Sequence, residues 1–416
     1  MPTSHNPWLI WGAGLIVYVL AVANRTSFGV AGLIAVERFG VSATVLSLFV
    51  VVQLAVYAAM QLPAGMALDA WGPRRLLVIG AIAMSFGQLA MALVPTVQFA
   101  LAARVLIGAG DATIFVSAVR LVWDWFPRAK VPLLTQLTGL TGQLGQIISA
   151  FPFAILLVRG GWLPAFISLA VTGIFAALIA AVLVKKPADA ITDFLPLDNS
   201  ATPPLENGFG TALRHPATWL GFFAHMLGGA STTVFVLLWG VPFMIEGEGY
   251  AEHTASLILT IVVITSLIAA PLIGQFTARY PSRRVTAALI IGAIVAAGWL
   301  IILLPTNPLP VPIFAAAIVL ISIGGPASLI GLDLAATYNA PNRRSTVQGI
   351  ANMGGFVAAI TVMLAVGVIL DHRSAITPPS LTDYQIALSV IAVPLVISAV
   401  GIVMLANRLP ASGTEA

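Results

Sequence analysis

Five ionisable side chains, Arg25, Arg104, Asp111, Arg120 and Asp333, stand inside long apolar stretches of this 416-residue chain. At the centre of a bilayer a charge costs about 2.5–3.5 kcal/mol on insertion scales, so each one asks for a reason. An arginine can clamp a carboxylate or phosphate with two parallel hydrogen bonds. A carboxylate beside it can exchange a proton when an arriving anion competes for the guanidinium. Arg25 reads as the clamp, with a permanent salt bridge to a neighbouring helix as the alternative. Asp111 reads as the proton-exchanging acid, or as a plain counter-ion. Arg104 precedes Asp111 by seven residues, about 700° of helical rotation, so the two share a face, whereas Arg120 is about 180° away. Both arginines lie towards the ends of their apolar segment, where snorkelling helps, which favours a structural reading. Asp333 is a second proton-site candidate, a gate partner of Arg120, or one half of a local pair. His225 could bind substrate or titrate, and a lone His in "FFAHMLGG" equally fits hydrogen-bonded packing. Three Arg against two Asp leave these positions net positive, which favours an anionic ligand.

The elements that hold these groups are helices. The chain is 59% hydrophobic and 8% charged, against about 25% charged in soluble domains, which excludes an ordinary soluble enzyme. It has no cysteine, which removes disulfides, thiolate metal sites and cysteine nucleophiles together. A net charge of +4 without a long basic run excludes a nucleic-acid protein. A mean hydropathy of +1.01 over the whole length requires repeated apolar segments of about 20 residues. Twelve occur, at 8–35, 43–67, 76–95, 97–124, 131–157, 163–184, 217–245, 253–278, 285–304, 311–338, 346–370 and 382–407. Their length fits helices rather than barrel strands, with kinks expected at Gly and Pro.

Basic residues fix an expected orientation. Placing the N-terminus inside puts Arg74, Arg75, Arg128, Lys130, Lys185, Lys186, Arg214, Arg279, Arg283, Arg284, Arg343, Arg344 and Arg408 in the cytoplasm, and only Arg38, Arg159 and Arg373 outside. This positive-inside pattern puts both termini in the cytoplasm, and no removable signal peptide is expected. Residues 185–216 turn polar and proline-rich, which reads as a cytoplasmic linker between an N-terminal bundle (1–184) and a C-terminal one (217–416). "GMALDAWGPRR" (65–75) superposes on "GQFTARYPSRR" (274–284), and "FPRAK" (126–130) on "APNRR" (340–344). Two six-helix repeats around a pseudo-symmetric centre follow.

Twelve spans in a 6+6 order, with "GMALDAWGPRR" between the second and third, resemble the major facilitator superfamily of secondary transporters. Gly65, Asp69, Gly72, Arg74 and Arg75 match its loop motif, with Ala70 in place of the first Arg. "RVLIGAG" (104–110), "GGWLPAF" (160–166) and "ALRHPATWL" (212–220) resemble further family segments. "NRTSFGVAG" (24–32) and "GAGDATIFVSAVRLVWDWFP" (108–127) resemble the anion:cation symporter branch, with Asn24 for its usual Asp, Asp111 for its Glu and Ser117 where it tends to have Pro. The fifth segment, "GLTGQLGQ", lacks the Gly-Pro pair of proton-driven drug antiporters.

The resemblance implies an all-α integral membrane protein: twelve transmembrane helices in two pseudo-symmetric six-helix bundles around a central cavity, working by alternating access. Candidate substrate-binding residues are then Arg25, Tyr18, Gln53, Tyr57, Gln143, His225, Trp239 and Asn352, donors and rings able to orient a small polar ligand. Asp111 and Asp333 are the proton-coupling candidates. Asp69, Arg74, Arg75, Asp124 and Arg120 are the gating candidates: an acid and two basic groups at one rim can pair with a neighbouring helix end and be released as the bundles rock. Asp124 is expected to pair with Arg74 or Arg75.

The function expected is proton-coupled transport of a small organic anion, a carboxylate or phosphate ester. The alternative is proton-driven efflux of drug-like amphiphiles, and less so an intramembrane enzyme or channel, for which no nucleophile–base pair, His-Glu-x-x-His or nucleotide loop is present. No cofactor or metal is expected. The partners are the substrate, protons and the lipid bilayer, with the protein acting as a monomer in the cell (inner) membrane.

Overall fold

The computed structural model describes residues 6–40, 43–185, 209–373 and 379–408. Most of the polar stretch read as a linker, residues 186–208, lies outside them, as do the ends of the chain.

Twelve helices are long and apolar enough to cross a membrane. We label them α1 (Pro7–Phe28), α2 (Val51–Trp71), α3 (Pro73–Leu93), α4 (Val97–Trp125), α5 (Arg128–Gly160), α6 (Trp162–Leu183), α7 (Pro216–Gly247), α8 (His253–Arg279), α9 (Pro281–Leu303), α10 (Val311–Thr337), α11 (Pro341–Arg373) and α12 (Leu381–Ala406). Local chemistry sets their ends. The Asn6 side chain accepts from the Trp8 amide ahead of α1, and Pro7 stands where no amide partner is needed. Ser380 and Asp383 close a reciprocal capping box on α12. The first apolar segment is shorter than its run of 8–35: the helix stops at Val30 and a separate short helix, Gly32–Phe39, follows. Irregular turns fall near proline, as expected. A π turn, Ser149–Phe153, holds Pro152 in α5, and two more, Phe235–Trp239 and Phe243–Gly247, flank Pro242 in α7.

The helices group into two compact units. One contains residues up to Arg214 together with Asn342–Gly349, and the other His215–Pro341 and Ile350 onward. In the first, Phe28, Phe49, Phe153, Trp162 and Phe166 form an aromatic core, and α4 is buried at every residue from Ile107 to Val119 except Ala109. The second packs around Phe235, Phe243, Trp299, Phe314 and Tyr384. Phe86, Val158 and Leu304 are among many large apolar side chains left exposed, the surface that lipid covers in a spanning protein.

The second unit is tied at one end by polar contacts that sequence patterns do not reveal. Glu248, just after α7, accepts the Leu309 amide at 2.7 Å, and the Tyr250 hydroxyl donates to the Leu309 carbonyl at 2.7 Å. Gln385 of α12 donates to the Pro305 carbonyl at 2.7 Å. Burial pushes the Glu248 carboxyl above its usual range, partly offset by the Leu309 amide, and burial beside Glu248 pushes the Tyr250 hydroxyl up. A carboxyl with a raised native pKa stabilises fully below its unfolded value, and that contribution is lost as pH rises through the native value. Glu248→Gln keeps an acceptor for Leu309 and removes the charge. It should therefore melt higher than the parent near neutral pH, with the gap closing on acidification towards pH 4.5, the ordinary value for the group. Glu248→Ala should cost about 1–3 kcal/mol at every pH, because the buried amide loses its acceptor. Thermal unfolding across pH in detergent measures both, and identical curves for parent and Gln variant would refute the first.

Candidate functional site

In the first unit, α1 and α4 bring Arg25 and Asp111 together. Arg25 Nη1 lies 3.2 Å from Asp111 Oδ2, with the arginine side chain 24% exposed and the aspartate 1%. Tyr18, seven residues before Arg25 and so on the same face of α1, interacts with the guanidinium through its hydroxyl. Its ring packs 5.3 Å from Phe115 and lies on Gly142 of α5, where any Cβ would sit 2.9 Å from the hydroxyl oxygen. Tyr57 of α2 offers its ring face 5.7 Å from the Arg25 guanidinium carbon, a cation–π contact. Gln53, one turn earlier on α2, is buried with Nε2 unpartnered. Gln143 is half-buried beside Gly142.

Arg104 is on the same face of α4 as Asp111 but does not snorkel. It is 1% exposed. Nη2 donates weakly to the Arg25 carbonyl at 3.4 Å, the guanidinium lies 4.8 Å from the Phe28 ring centre, and Nε and Nη1 have no acceptor. Asp111 Oδ1 likewise has no donor. Close by in the chain, Asn24 spends Nδ2 on the Leu20 carbonyl at 2.8 Å, and its own carbonyl accepts from Gln88 at 3.0 Å. A guanidinium shared between a carboxylate, two tyrosines and open space is a group that an incoming anion can capture.

The rim carries a second cluster, and here several expectations need correction. Arg120 donates to Asp69 at 2.8 Å through Nη1 and to Asp124 at 2.7 Å through Nε. Its Nη1 also donates to Ser345 Oγ at 2.8 Å. Asp69 in addition accepts the backbone amides of Ser345 (3.0 Å) and Thr346 (2.8 Å) and the Thr346 hydroxyl (2.6 Å). A carboxylate from α2 thus caps the opening turn of α11, where free amides and the helix dipole favour negative charge. Arg344 stacks 4.4 Å from the Trp123 ring centre. Neither Arg74 nor Arg75 pairs with Asp69 or Asp124. Gly72, at φ +78°, turns the chain so that the first turn of α3 points elsewhere: Arg74 donates to the Ala181 carbonyl of α6, and Arg75 is exposed with no ion pair among the described residues. Within its own unit Arg120 is engaged by Asp69 and Asp124. The sequence reading missed Ser345 and Thr346; their one signal is a Ser-Thr pair opening an apolar run.

In the second unit, His225 Nδ1 accepts the Gly355 amide at 3.1 Å, pinning α7 to α11. Trp239 Nε1 donates to the Met363 carbonyl at 3.0 Å, and Asn352 is buried. Asp333 is 3% exposed with Oδ1 unpartnered. Arg284 is the cation whose charge acts on it, itself buried and donating to Thr337 Oγ1 at 3.1 Å and to the Thr277 carbonyl at 3.2 Å.

Comparison with known proteins gives one answer. The family model of the Major Facilitator Superfamily matches residues 14–361 and 222–415. A bacterial homologue of the human lysosomal transporter Spinster, solved inward-facing and unoccupied, superposes with a TM-score of 0.60 at 16% identity, covering 96% of this chain and 97% of that one. A probable sulfoacetate transporter of Cupriavidus necator is 22% identical over 89% of each chain. A probable L-galactonate transporter of Escherichia coli is 30% identical over 40% of this chain and 37% of its own. A hexuronate transporter of Bacillus subtilis is 23% identical over 62% and 60%. The chain belongs to the Major Facilitator Superfamily, and is a multi-pass membrane transporter rather than an enzyme.

Proposed function

We propose that the protein is an alternating-access transporter that couples a small organic anion to protons, with Arg25 as the anion clamp and Asp111 as the proton carrier. The observation that carries this is the Arg25–Asp111 pair: the arginine is partly open while its acid is buried. A substrate anion that takes over the guanidinium adds negative charge beside the buried Asp111, and where that exceeds the cations present the carboxyl takes up a proton. By linkage, protonation then favours anion binding to the same extent. The relatives named for sulfoacetate, galactonate and hexuronate support the anion class. Tyr18, Tyr57, Gln53 and Gln143 orient the ligand in the first unit. His225, Trp239 and Asn352 are the second unit's contribution, and Asp333 is a reserve proton site. The Asp69–Arg120–Asp124 cluster holds Asn342–Gly349 to the first unit in one state and releases it in the other, flanked by Arg74 and Arg75. Basic-residue bias supports cytoplasmic termini, and we take the protein to be a monomer in the inner membrane.

Asp111→Asn stands in for the protonated form. It should bind and exchange substrate across proteoliposome membranes yet fail to accumulate it under an imposed pH gradient. Accumulation equal to that of the parent would reduce Asp111 to a counter-ion.

A further inference from the structure

Resting on that reading, the buried charge around Asp111 specifies which anions bring a proton with them. Asp111, once displaced from Arg25, has a second guanidinium on its own helix. Arg104 is 1% exposed, and two of its three nitrogens have no acceptor. Asp111 Oδ1, on the same face of α4, has no donor. An arginine remains charged even in such a place, so the cluster of Arg25, Arg104 and Asp111 carries one net positive charge. The groups facing Asp111 from the other helices are Tyr18 and Arg25 of α1, and Tyr57 packs its ring against Arg25 from α2; the tyrosines add no charge. Asn24, next to Arg25, is neutral, and its amide is spent on the Leu20 carbonyl. Within the spans of the other unit, the buried charges are Arg284 and Asp333, one of each sign. The unmatched positive charge is therefore that of Arg104.

Uncompensated charge in a low-dielectric site is the costliest outcome, so the occupied site should be neutral. A singly charged anion on Arg25 makes two negative charges against two guanidinium groups, and Asp111 can remain ionised facing Arg104. A doubly charged anion makes three against two, and one proton on Asp111 restores the balance. We propose that the substrate this site couples to a proton is a small organic dianion, carried with one proton, and that monoanions of similar size pass without one. Arg104 sets this number without touching the substrate, as a fixed counter-charge.

The test counts protons on binding. Purified protein in weakly buffered detergent solution near pH 7 is mixed with sulfoacetate, a dianion, and separately with galactonate, a monoanion, while a pH-indicating dye reports uptake. The parent should take up about one proton per sulfoacetate and none per galactonate, and only sulfoacetate affinity should weaken with rising pH, by about tenfold per unit. Asp111→Asn should remove the sulfoacetate proton. Two independent changes delete the spare charge: Arg104→Gln removes the cation, and Asn24→Asp adds an acid beside Arg25. Either should make galactonate binding take up a proton. The same proton number for both anions in the parent, or galactonate still binding without a proton in both variants, overturns the proposal. If neither anion nor any of a series of mono- and dicarboxylates binds, the organic-anion reading itself falls and this inference with it. Binding with the wrong proton count overturns the inference alone.

Discussion

Arg25→Ala is expected to abolish concentrative transport and to weaken anion binding on the order of a hundredfold. The estimate follows from losing a charge-assisted, two-pronged contact worth about 2–3 kcal/mol. Arg25→Lys should fall between, since it keeps the charge and loses the planar fork. The alanine variant has a second cost. Asp111 is 1% exposed and has Arg25 as its ion-pair partner, so removing the guanidinium breaks a buried pair and leaves the carboxylate only Arg104 on its own helix, a cost of up to about 3–5 kcal/mol of stability. The two effects separate in the double variant Arg25→Ala with Asp111→Asn, which returns the cluster to the parent's net charge with Arg104 unmatched. It should recover most of the thermal stability and none of the affinity. Binding measured by a thermal-shift titration with organic acids reads both quantities. Parent-like affinity in Arg25→Ala would assign the arginine to structure.

Asp69→Asn is expected to release the opening of α11. The carboxylate receives two backbone amides, the Thr346 hydroxyl and the Arg120 guanidinium. Four donors converge on two acceptor oxygens. An amide offers one oxygen and turns its NH2 towards the remaining donors, while Arg120 keeps Asp124 as its one acid and the Ser345 hydroxyl. Since the chain has no cysteine, a single one introduced at Gln348, which is 1% exposed within the held segment, reports release without background. Maleimide labelling at that position should be at least about tenfold faster in Asp69→Asn, a shift of about 1.4 kcal/mol between states. Exchange should slow, while substrate affinity stays within a few-fold because the binding residues are untouched. Unchanged labelling would show that Asp69 does not hold this segment.

Arg74 and Arg75 show where sequence reading stops. They carry the right charge at one rim, and the sequence pairs one of them with Asp124. Asp124 instead holds Arg120, which also reaches Asp69 across 51 residues, where Ser345 and Thr346, 276 and 277 residues on from Asp69, join them. The positive φ at Gly72 decides this, and its effect is felt only when α3 is packed against α6. His225 is similar: composition marks it as unusual, but only the approach of α11 shows Nδ1 occupied by the Gly355 amide.

Twelve spans, the 6+6 repeat and the short set of costly intramembrane charges were legible from the chain alone, because transfer of side chains from water to lipid is a local, additive property that each segment carries with it. The shared face of Arg104 and Asp111 was legible for the same reason, since helical periodicity is local. Which charge meets which was not. The Arg25–Asp111 pair, the isolation of Arg104 and the cap of Asp69 on α11 each join residues from different helices. Pairing of that kind depends on distances of about 3 Å set by the crossing of packed helices, and no spacing along a single helix encodes it.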